Sequence, residues 1–456
     1  MKIIFNKIIS GSFISLLIIF IIILILTFNI FNYDPIQGYD AEAHYNYVDY
    51  FSRYLPSSLN LPSELDSREF FNPPIGYVIP AFSQVICRNT LDSPNLLEDC
   101  RPIYGKVTQV FQSLLFLLSI YFYLLTYKVL RSNDKLLDLN ILLIIGILTV
   151  NYKTFSMIRG EPYIILFNSI LLWRFSILIK NSFNYKPKDV VYFGILIGAL
   201  ALSRQWAFLL FPGYFIFTLF ISEKRNKLKM IKFLLPAFFL GFILSSWFYF
   251  SLYFDYGSFT SFNKEPLIFK FSNQPYSFYL PSGNEIYYIF QKPIRPYFSN
   301  QFLPILYSDL WGDYWGYFAF TSRALDVGRN QLLIGDYLAR VNIVSILPSL
   351  LLIVGTFTGF TIRKNSSIED IFNRYLFIAM ASSFVGYAWF LIKFPALPTG
   401  DTIKATYIIQ LFHLMGLLTN SYLHKLKVRN LNLYWFWIVA LILVFFHNIP
   451  ASLSHF

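Results

Sequence analysis

The chain has 456 residues, of which 56% are hydrophobic and only 14% are charged. A soluble domain of this length needs more charged surface, so the composition excludes an ordinary soluble protein and predicts a membrane protein. Aromatic residues make up 20% of the chain, which suits lipid-facing helices and aromatic belts at the membrane interface. The net charge of +12 does not by itself indicate nucleic-acid binding, and we expect no nucleic-acid partner.

Eleven apolar runs, each about long enough to cross a bilayer, follow one another along the chain. No small-residue cleavage site follows the first run, and its apolar core is too long for a signal peptide, so we interpret it as a retained anchor. The predicted fold is an all-α polytopic membrane protein with about eleven transmembrane helices in one domain, residues 1–456. The predicted spans lie near 8–32, 107–129, 137–153, 162–179, 189–203, 206–222, 232–254, 338–360, 372–392, 404–420 and 433–450.

Basic residues concentrate in alternate loops between these spans. By the positive-inside rule the loops that hold them are cytoplasmic, as is the N-terminus. The other side receives two long segments, 33–106 and 255–337, which we call the first and second outer segments; the second is rich in aromatic residues. The cations on the predicted cytoplasmic side are Lys2, Lys7, Lys128, Arg131, Lys135, Lys180, Lys186, Lys188, Lys224, Arg225, Lys227, Lys229, Arg363, Lys364, Arg374, Lys425, Lys427 and Arg429.

The two cysteines, Cys87 and Cys100, both lie in the first outer segment. A pair confined to one exported segment predicts a disulfide in an oxidising compartment, with two free thiols as the alternative. The outer segments lack an N-x-[ST] sequon, which slightly favours a bacterial inner membrane over an endoplasmic reticulum. We therefore expect the outer side to face the periplasm.

Unusual polar residues collect on this outer side. Asp40, Glu42 and His44 follow the first span in the sequence GYDAEAHYNYV, residues 38–48. Scattered structural charges would have no reason to share one side, so the pattern predicts a site at the outer membrane face. The other members, in chain order, are Lys106 at the second span, Arg159 and Glu161 in MIRGEPY, Arg204 in ALSRQWAF, Trp311, Asp313 and Trp315 in YSDLWGDYWGYF, and Lys404 and Tyr407 in GDTIKATY.

These residue types together indicate a chemistry. A carboxylate at the membrane surface can act as a general base that deprotonates a hydroxyl or amine. Cationic side chains at helix ends suit a phosphate or pyrophosphate leaving group, and Trp and Tyr faces suit sugar rings. We therefore predict glycosyl transfer from a polyprenyl-phosphate-linked sugar, held in membrane lipid, to an acceptor glycan, lipid or protein.

The order of the motifs resembles the GT-C superfamily of integral-membrane glycosyltransferases over about the first 210 residues. The resemblance is strongest to the branch of dolichyl-phosphate-mannose protein mannosyltransferases and bacterial lipid A aminoarabinose transferases. The eukaryotic glucosyltransferases that add the last glucose to dolichol-linked oligosaccharide are also similar. Asp40 matches the first acid of the branch's D-E pair, Ala41 stands in place of the second, and Glu42 follows one position later. The other matches are Pro73, Pro74, Ile75 and Tyr77 to a P-P-L-x-Y element, Arg159, Glu161 and Pro162 to an R-x-[DE]-P turn, and Lys404 and Tyr407 to the entry of a late helix.

The resemblance implies roles for these residues. Asp40 would be the base of an inverting transfer, with Glu42 as a second catalytic candidate, and Glu161 would orient the sugar or a nearby arginine. The branch does not generally require a metal at the reaction centre, so no cofactor is implied. The candidates for holding the donor are Lys106, Arg159, Arg204, Lys404 and Tyr407, and those for an acceptor or sugar surface are His44, Trp311, Asp313 and Trp315.

Simpler interpretations exist for each group of residues. Asp40 can cap a helix that begins at the next residue. Asp40, Glu42 and His44 share a face on an extended segment, so they can also form a metal site. The cations can be interfacial anchors, and the two tryptophans can belong to an aromatic belt.

Other functions also stay open. A lipid-linked sugar flippase or transporter would place ionisable residues near the bilayer midplane and use broken helices. A non-catalytic scaffold would tolerate Asp40→Ala. A surface-polysaccharide polymerase or ligase would use a pyrophosphate donor and an arginine-rich outer loop, and the second outer segment contains Arg295, Arg323 and Arg329.

Overall fold

The structure of the protein is a computed structural model. Its described part consists of helices joined by turns and coil, with no strand among the described residues. The described residues are 11–91, 96–131, 134, 136–260, 262, 265–281, 283–295, 297–319, 329–359 and 367–454.

Eighteen α-helices, numbered here in chain order, lie within these ranges. Short 3-10 turns at Gln205–Leu210, Phe271–Asn273, Ala405–Ile408 and Ile449–Ser452 connect or extend them. The helices are α1 Gly11–Asn32, α2 Ala41–Tyr54, α3 Ile75–Thr90, α4 Leu96–Leu130, α5 Leu137–Gly146, α6 Thr149–Ser156, α7 Glu161–Lys180, α8 Pro187–Ala201, α9 Phe211–Leu219, α10 Lys224–Tyr256, α11 Tyr276–Tyr279, α12 Gly283–Tyr288, α13 Phe302–Trp311, α14 Arg329–Val344, α15 Ile346–Gly359, α16 Ile368–Lys393, α17 Ile409–Arg429 and α18 Leu431–Asn448.

Seven helical stretches of the described chain are long and apolar enough to cross a membrane, which fits a polytopic membrane protein. The helices α5 and α6 bend by 68° at their junction and give an eighth crossing if the pair is counted as one broken span. The predicted number of eleven is not confirmed. The seven stretches are Phe13–Asn32, Leu97–Leu130, Glu161–Lys180, Lys224–Tyr256, Gly335–Thr358, Ile368–Lys393 and Leu431–Ser452.

Some of the predicted spans are too short or too polar to cross a membrane. The run at 189–203 becomes the 15-residue α8, and the run at 206–222 becomes a 3-10 turn followed by the nine-residue α9. Both are shorter than the roughly 20 residues that a bilayer needs. The helix α17 is long enough but polar, and its Gln410, His413 and Asn420 are buried inside the bundle rather than facing lipid.

The predicted cytoplasmic loops meet at one end of the bundle. Lys180, at the end of α7, donates to the carbonyl oxygen of Val129 at 3.2 Å. Arg131 Nε lies 3.2 Å from a Glu369 carboxylate oxygen, which joins the loop after α4 to the start of α16. A 20-residue helix is about 30 Å long, so this end lies about 30 Å from Glu161 at the start of α7. Which compartment it faces stays a prediction, and Lys2, Lys7, Lys135, Arg363 and Lys364 lie outside the described residues.

The first outer segment folds around α2 and α3, which pack against each other and against α4. Tyr47 of α2 stacks on Tyr77 of α3 with ring centroids 3.8 Å apart. Arg101 of α4 pairs with Asp49 of α2 at 2.7 Å. A disulfide joins Cys87 to Cys100, as the sequence predicts, and so ties α3 to α4.

Replacing both cysteines by serine should destabilise this segment by about 3 kcal/mol, because the bond closes a short loop that the unfolded chain would otherwise leave open. The two cysteines are 13 residues apart. Thermal unfolding of the purified double variant measures the effect. Mass spectrometry after alkylation provides the control: unreduced wild-type protein should take no label and reduced protein two, and two labels without reduction would show that the bond is absent.

Candidate active site

Three short turns meet at the end of the bundle near α2. They contain the motifs NPPIGY (72–77), IRGEP (158–162) and SRQW (203–206). A side chain on Gly160 would place its Cβ 2.0 Å from the carbonyl oxygen of Ser203, and one on Gly76 would lie 3.1 Å from the Cα of Gly160. The amide of Ile75 donates to the carbonyl of Leu202 at 3.1 Å. The backbones of the three turns therefore touch, which glycine alone allows, and their charged side chains are brought together.

Asp40 stands at the N-terminus of α2 with φ of 51°, in the left-handed region that few non-glycine residues adopt. Its backbone carbonyl accepts the His44 amide at 3.1 Å, but its side chain makes no capping hydrogen bond. The carboxylate instead lies 3.4 Å from Lys404 Nζ and 3.6 Å from the guanidinium of Arg68. Capping of α2 therefore does not explain the carboxylate, which stays partly exposed, at 33%.

The protonation states of this pair follow from their contact. Lys404 holds the pKa of the Asp40 carboxyl well below its usual range, although burial acts in the opposite direction. Burial disfavours the charged form of Lys404, but the oxygens of Tyr407 and Asp40 still raise the pKa of its ammonium above the ordinary value. Lys404 Nζ lies 3.2 Å from Tyr407 Oη. At neutral pH the site therefore holds a carboxylate and an ammonium.

Arg159 and Lys404 both approach the aromatic ring of Tyr39. The Arg159 Cζ is 5.4 Å and the Lys404 Nζ 4.8 Å from the Tyr39 ring centroid. Arg159 is 1% exposed, and its Nη1 donates to Thr406 Oγ1 at 2.5 Å. Within the described part of the chain no carboxylate lies within 4.0 Å of its guanidinium, and its Nε has no hydrogen-bond partner there. A buried cation without a counter-charge is costly, so the arrangement favours an anion.

Arg204 differs from Arg159 because two buried acids neutralise it. Its guanidinium lies 3.3 Å from Glu69 and 3.3 Å from Glu161. Glu69 also accepts a hydrogen bond from Asn72. Burial raises the pKa of Glu69 above its usual value, while the neighbouring Arg204 opposes the rise. Arg204 is therefore paired within the protein, which suits a positioning role.

His44, expected on an acceptor or sugar surface, is buried instead. Its Nδ1 is 2.7 Å from Tyr77 Oη, and its Nε2 is 4.0 Å from Glu69. Burial lowers the pKa of His44, so its ring is neutral at physiological pH. Glu42, two residues earlier, is exposed. Among the described residues no group of three or more His, Cys, Asp or Glu side chains is placed to hold a metal ion, Asp40, Glu42 and His44 included.

The aromatic-acidic run of the second outer segment folds inwards rather than forming the expected surface. Trp311 is fully buried and donates to Ser349 Oγ at 2.9 Å, and Trp315 is 4% exposed and donates to the carbonyl of Ile403 at 3.0 Å. The buried carboxylate of Asp313 accepts the backbone amides of Phe318 and Ala319 at 2.8 and 3.0 Å. These three side chains are therefore neither an exposed sugar surface nor a lipid-facing belt, because their polar groups find partners within the fold.

The side chain of Lys106 binds backbone carbonyl groups at the C-terminal end of α1. Its Nζ donates to the carbonyl oxygens of Ile30 and Tyr33 at 2.5 and 2.7 Å. Ile30 lies in the last turn of α1, where carbonyl groups lack intrahelical partners, and a lysine can satisfy them. The structure thus places Lys106 as an anchor of α1, apart from the contacts that join Asp40, Lys404 and Arg159. Of the second-segment arginines, Arg323 and the side chain of Arg329 lie outside the described part.

Sequence reasoning missed several members of the site. Glu69 opens the EFFNPPIGY motif, but its partner Arg204 is 135 residues away. Lys153 forms a fully buried ion pair with Asp309, and Tyr39 Oη donates to the same carboxylate at 3.1 Å. An ionisable residue inside an apolar run, as Lys153 is, was the available signal.

Comparison with known proteins bears on the fold. The sequence matches no known family model and no curated protein. The crystal structure of the Archaeoglobus fulgidus oligosaccharyltransferase in the apo form is similar over 97% of this chain and 56% of that chain, with a TM-score of 0.51 and 14% identity. This chain shares the fold of that protein.

A second structure, of the archaeal oligosaccharyltransferase AglB from Archaeoglobus fulgidus in complex with an inhibitory peptide and a dolichol-phosphate, gives a TM-score of 0.49 and 13% identity over the same shares of both chains. The chain spans 56% of the length of these two proteins. The similarity to the apo structure, at a TM-score of 0.51, agrees with the resemblance that the motifs predict, at a level of identity that bears on the fold alone.

Proposed function

We propose that the protein is a glycosyltransferase that moves a sugar from a polyprenyl-phosphate donor to an acceptor, with inversion and with Asp40 as the general base. The observation that carries the proposal is the grouping of Asp40, Lys404 and Arg159 around Tyr39. The carboxylate of Asp40 is partly exposed. The guanidinium of Arg159 is buried, and no described residue pairs a carboxylate with it. The fold shared with an oligosaccharyltransferase supports glycan transfer as the reaction class.

The chemistry follows from the charges. The acceptor oxygen or nitrogen attacks the anomeric carbon, its proton passes to Asp40, and the bond between that carbon and the phosphate oxygen breaks. The polyprenyl phosphate leaves with the bonding electrons. Arg159 and Lys404 would bind its oxygens, since charge-assisted hydrogen bonds to phosphate are strong. Arg204 and Glu161 would hold the Arg159 turn in place, and Tyr407 would hold Lys404.

The proposal also covers the orientation of the protein in the membrane and the roles of Glu69, Glu42 and Lys106. The N-terminus would be cytoplasmic and the site would face the periplasm of a bacterial inner membrane, because the clustered cations of the opposite end fit the positive-inside rule. Glu69, which pairs with Arg204, would take the role of the second acid of the D-E pair, because Ala41 stands at that acid's position. Glu42 would stay at the surface and Lys106 would anchor α1.

Purified protein in lipid nanodiscs provides the test. We expect release of polyprenyl monophosphate from a panel of polyprenyl-monophosphate sugars, dependent on an added acceptor extract and detected by mass spectrometry. Use of polyprenyl-pyrophosphate donors alone would instead support the polymerase or ligase alternative. No bond cleavage with any donor of either class would contradict the proposal.

One observation favours the transport alternative as a second candidate. The broken pair α5 and α6 carries the buried Lys153, and broken helices with ionisable residues are typical of transporters. Lys153 is, however, already paired with Asp309, which leaves it no charge to exchange. Movement of a fluorescent lipid-linked sugar across proteoliposomes, without cleavage, would decide for transport.

Lys404→Met should move the acid limb of the pH–rate profile upwards by at least about one pH unit. Asp40 works as a base only when deprotonated, and Lys404 is the main cause of its depressed pKa. The rate that depends on Asp40 is therefore present above its pKa and is lost as the pH falls through it. In the wild type that loss lies below the ordinary value of 3.8, and in the variant it moves to higher pH.

The plateau rate of the same variant should also fall, because a phosphate ligand is lost. Lys393→Met, at the end of α16, is the matched control and should leave the profile in place. An acid limb that does not move in Lys404→Met would show that Asp40 is not the group whose protonation limits the rate.

A further inference from the structure

A cleft of about 660 Å³ opens beside the second half of α2. One wall is the segment 59–63 together with Phe70, and the other is the outer end of α10. Phe70 follows Arg68 by two residues, and the Arg68 guanidinium lies 3.6 Å from Asp40. The stretch 68–70 therefore borders both the proposed catalytic group and the cleft.

The side chains of the cleft differ in chemistry from those around Tyr39. Aromatic rings line it, among them Tyr50, Trp247 and Tyr256, and Asn60 and Asp255 add polar groups at its exposed rim. The described residues that line it include no Lys or Arg, so the cleft offers no positive charge that could bind a phosphate. Aromatic faces beside amide and carboxylate oxygens suit a neutral, hydroxyl-bearing ring such as a sugar.

The length and charge of α10 indicate that the cleft lies at the membrane interface. The helix has 33 residues, and its first nine carry five Lys or Arg. The remaining 24 residues are about 36 Å long, against about 30 Å for the hydrocarbon core, so Asp255 emerges into water. Trp247 lies eight residues, or about 12 Å, closer to the basic end of the helix and is 42% exposed. A ligand that fills the cleft has a polar part outside and an apolar part in the membrane.

We infer that this cleft binds the saccharide headgroup of a membrane-anchored glycolipid, which is the acceptor of the reaction. The inference rests on the proposed function and deepens it by naming the acceptor class. The helix α2 carries Asp40 at its start and Tyr50 on the cleft wall, about 15 Å apart along its axis. A saccharide that extends from the cleft along α2 reaches the base with its far end, while its lipid stays beside Trp247.

Cysteine chemistry allows a binding test that needs no turnover. Both native cysteines are in the disulfide, so an introduced cysteine is the single free thiol. Ser251→Cys places it in the cleft, and Ser246→Cys places it on the same helix outside the cleft. Each variant, with its disulfide intact and held in an amphipathic polymer, is alkylated by a maleimide during titration with dodecyl maltoside below its micellar concentration. This probe joins a disaccharide to an alkyl chain.

We expect dodecyl maltoside to slow alkylation of Ser251→Cys at least fivefold and to leave Ser246→Cys unchanged. Dodecyl phosphocholine, with the same chain, and a polyprenyl monophosphate should not protect. Adding Trp247→Ala to Ser251→Cys should abolish the protection. Equal protection by phosphocholine, protection by the polyprenyl phosphate, or no protection by maltoside would each overturn the inference. Protection without any transferase activity would leave the cleft assignment standing as a sugar site and contradict the proposed function instead.

Discussion

Asp40→Asn should lower the rate of sugar transfer by about 10²–10⁴-fold while the protein stays folded and inserted. The amide keeps the shape of the carboxylate but cannot accept the acceptor's proton. The cost in stability should stay at about 1–3 kcal/mol, because the Asp40 side chain does not cap α2 and an amide oxygen can still accept a hydrogen bond from Lys404, which loses its counter-charge. Initial rates with purified enzyme and thermal unfolding of the same sample measure both effects.

Asp34→Asn is the matched control for this substitution. Asp34 lies six residues earlier on the same outer segment and is exposed, so the change should alter the rate by less than about twofold. Turnover of Asp40→Asn close to that of the control, in correctly inserted protein, would remove Asp40 from the role of base.

Arg204→Met should destabilise the protein strongly, whereas Arg159→Met should not. Arg204 neutralises the buried Glu69 and Glu161, and removing it leaves two buried carboxylates unpaired, at a cost of about 3–5 kcal/mol. Arg159 has no carboxylate within 4.0 Å among the described residues, so Arg159→Met should leave the free energy of unfolding nearly unchanged or raise it. Its effect should appear in the KM for the donor, which we expect to rise about tenfold to a hundredfold through loss of a charge-assisted hydrogen bond.

The two variants are measured side by side, by thermal unfolding without substrate and by initial rates over a range of donor concentrations. A fall in thermal stability as large for Arg159→Met as for Arg204→Met would show that Arg159 is a structural cation. An unchanged donor KM in a stable Arg159→Met protein would show that the donor phosphate binds elsewhere.

The sequence predicts the class of the fold and part of the site, because those depend on local pattern. Apolar runs reveal membrane helices, and the common sidedness of Asp40, Arg159, Arg204 and Lys404 predicts the convergence that the structure shows through Tyr39 and the touching turns. The cysteine pair is predicted for the same reason. Span number is less accessible, since hydropathy does not distinguish a full crossing from the short α8 or from the bent pair α5 and α6.

The sequence does not reveal which residues from distant parts of the chain pair with each other. Nothing local connects Glu69 to Arg204 or Lys153 to Asp309, so both buried ion pairs appear only in the structure. The run that contains Trp311 and Trp315 reads equally well as a belt, a sugar surface or a buried segment. Only the partners of the two indole groups, Ser349 and the carbonyl of Ile403, show that it is buried.

The carboxylate of Asp309 has a consequence for how the protein is made. It receives Lys153 from the broken pair, the hydroxyl of Tyr39 from the first outer segment, and the amide of Ala405 at 2.6 Å from the turn before α17. A nascent chain that ends before residue 309 therefore leaves Lys153 without its counter-charge, and one that ends before residue 404 leaves Asp40 without Lys404. The grouping of Asp40, Lys404 and Arg159 around Tyr39 is therefore completed only after the turn before α17 has been synthesised.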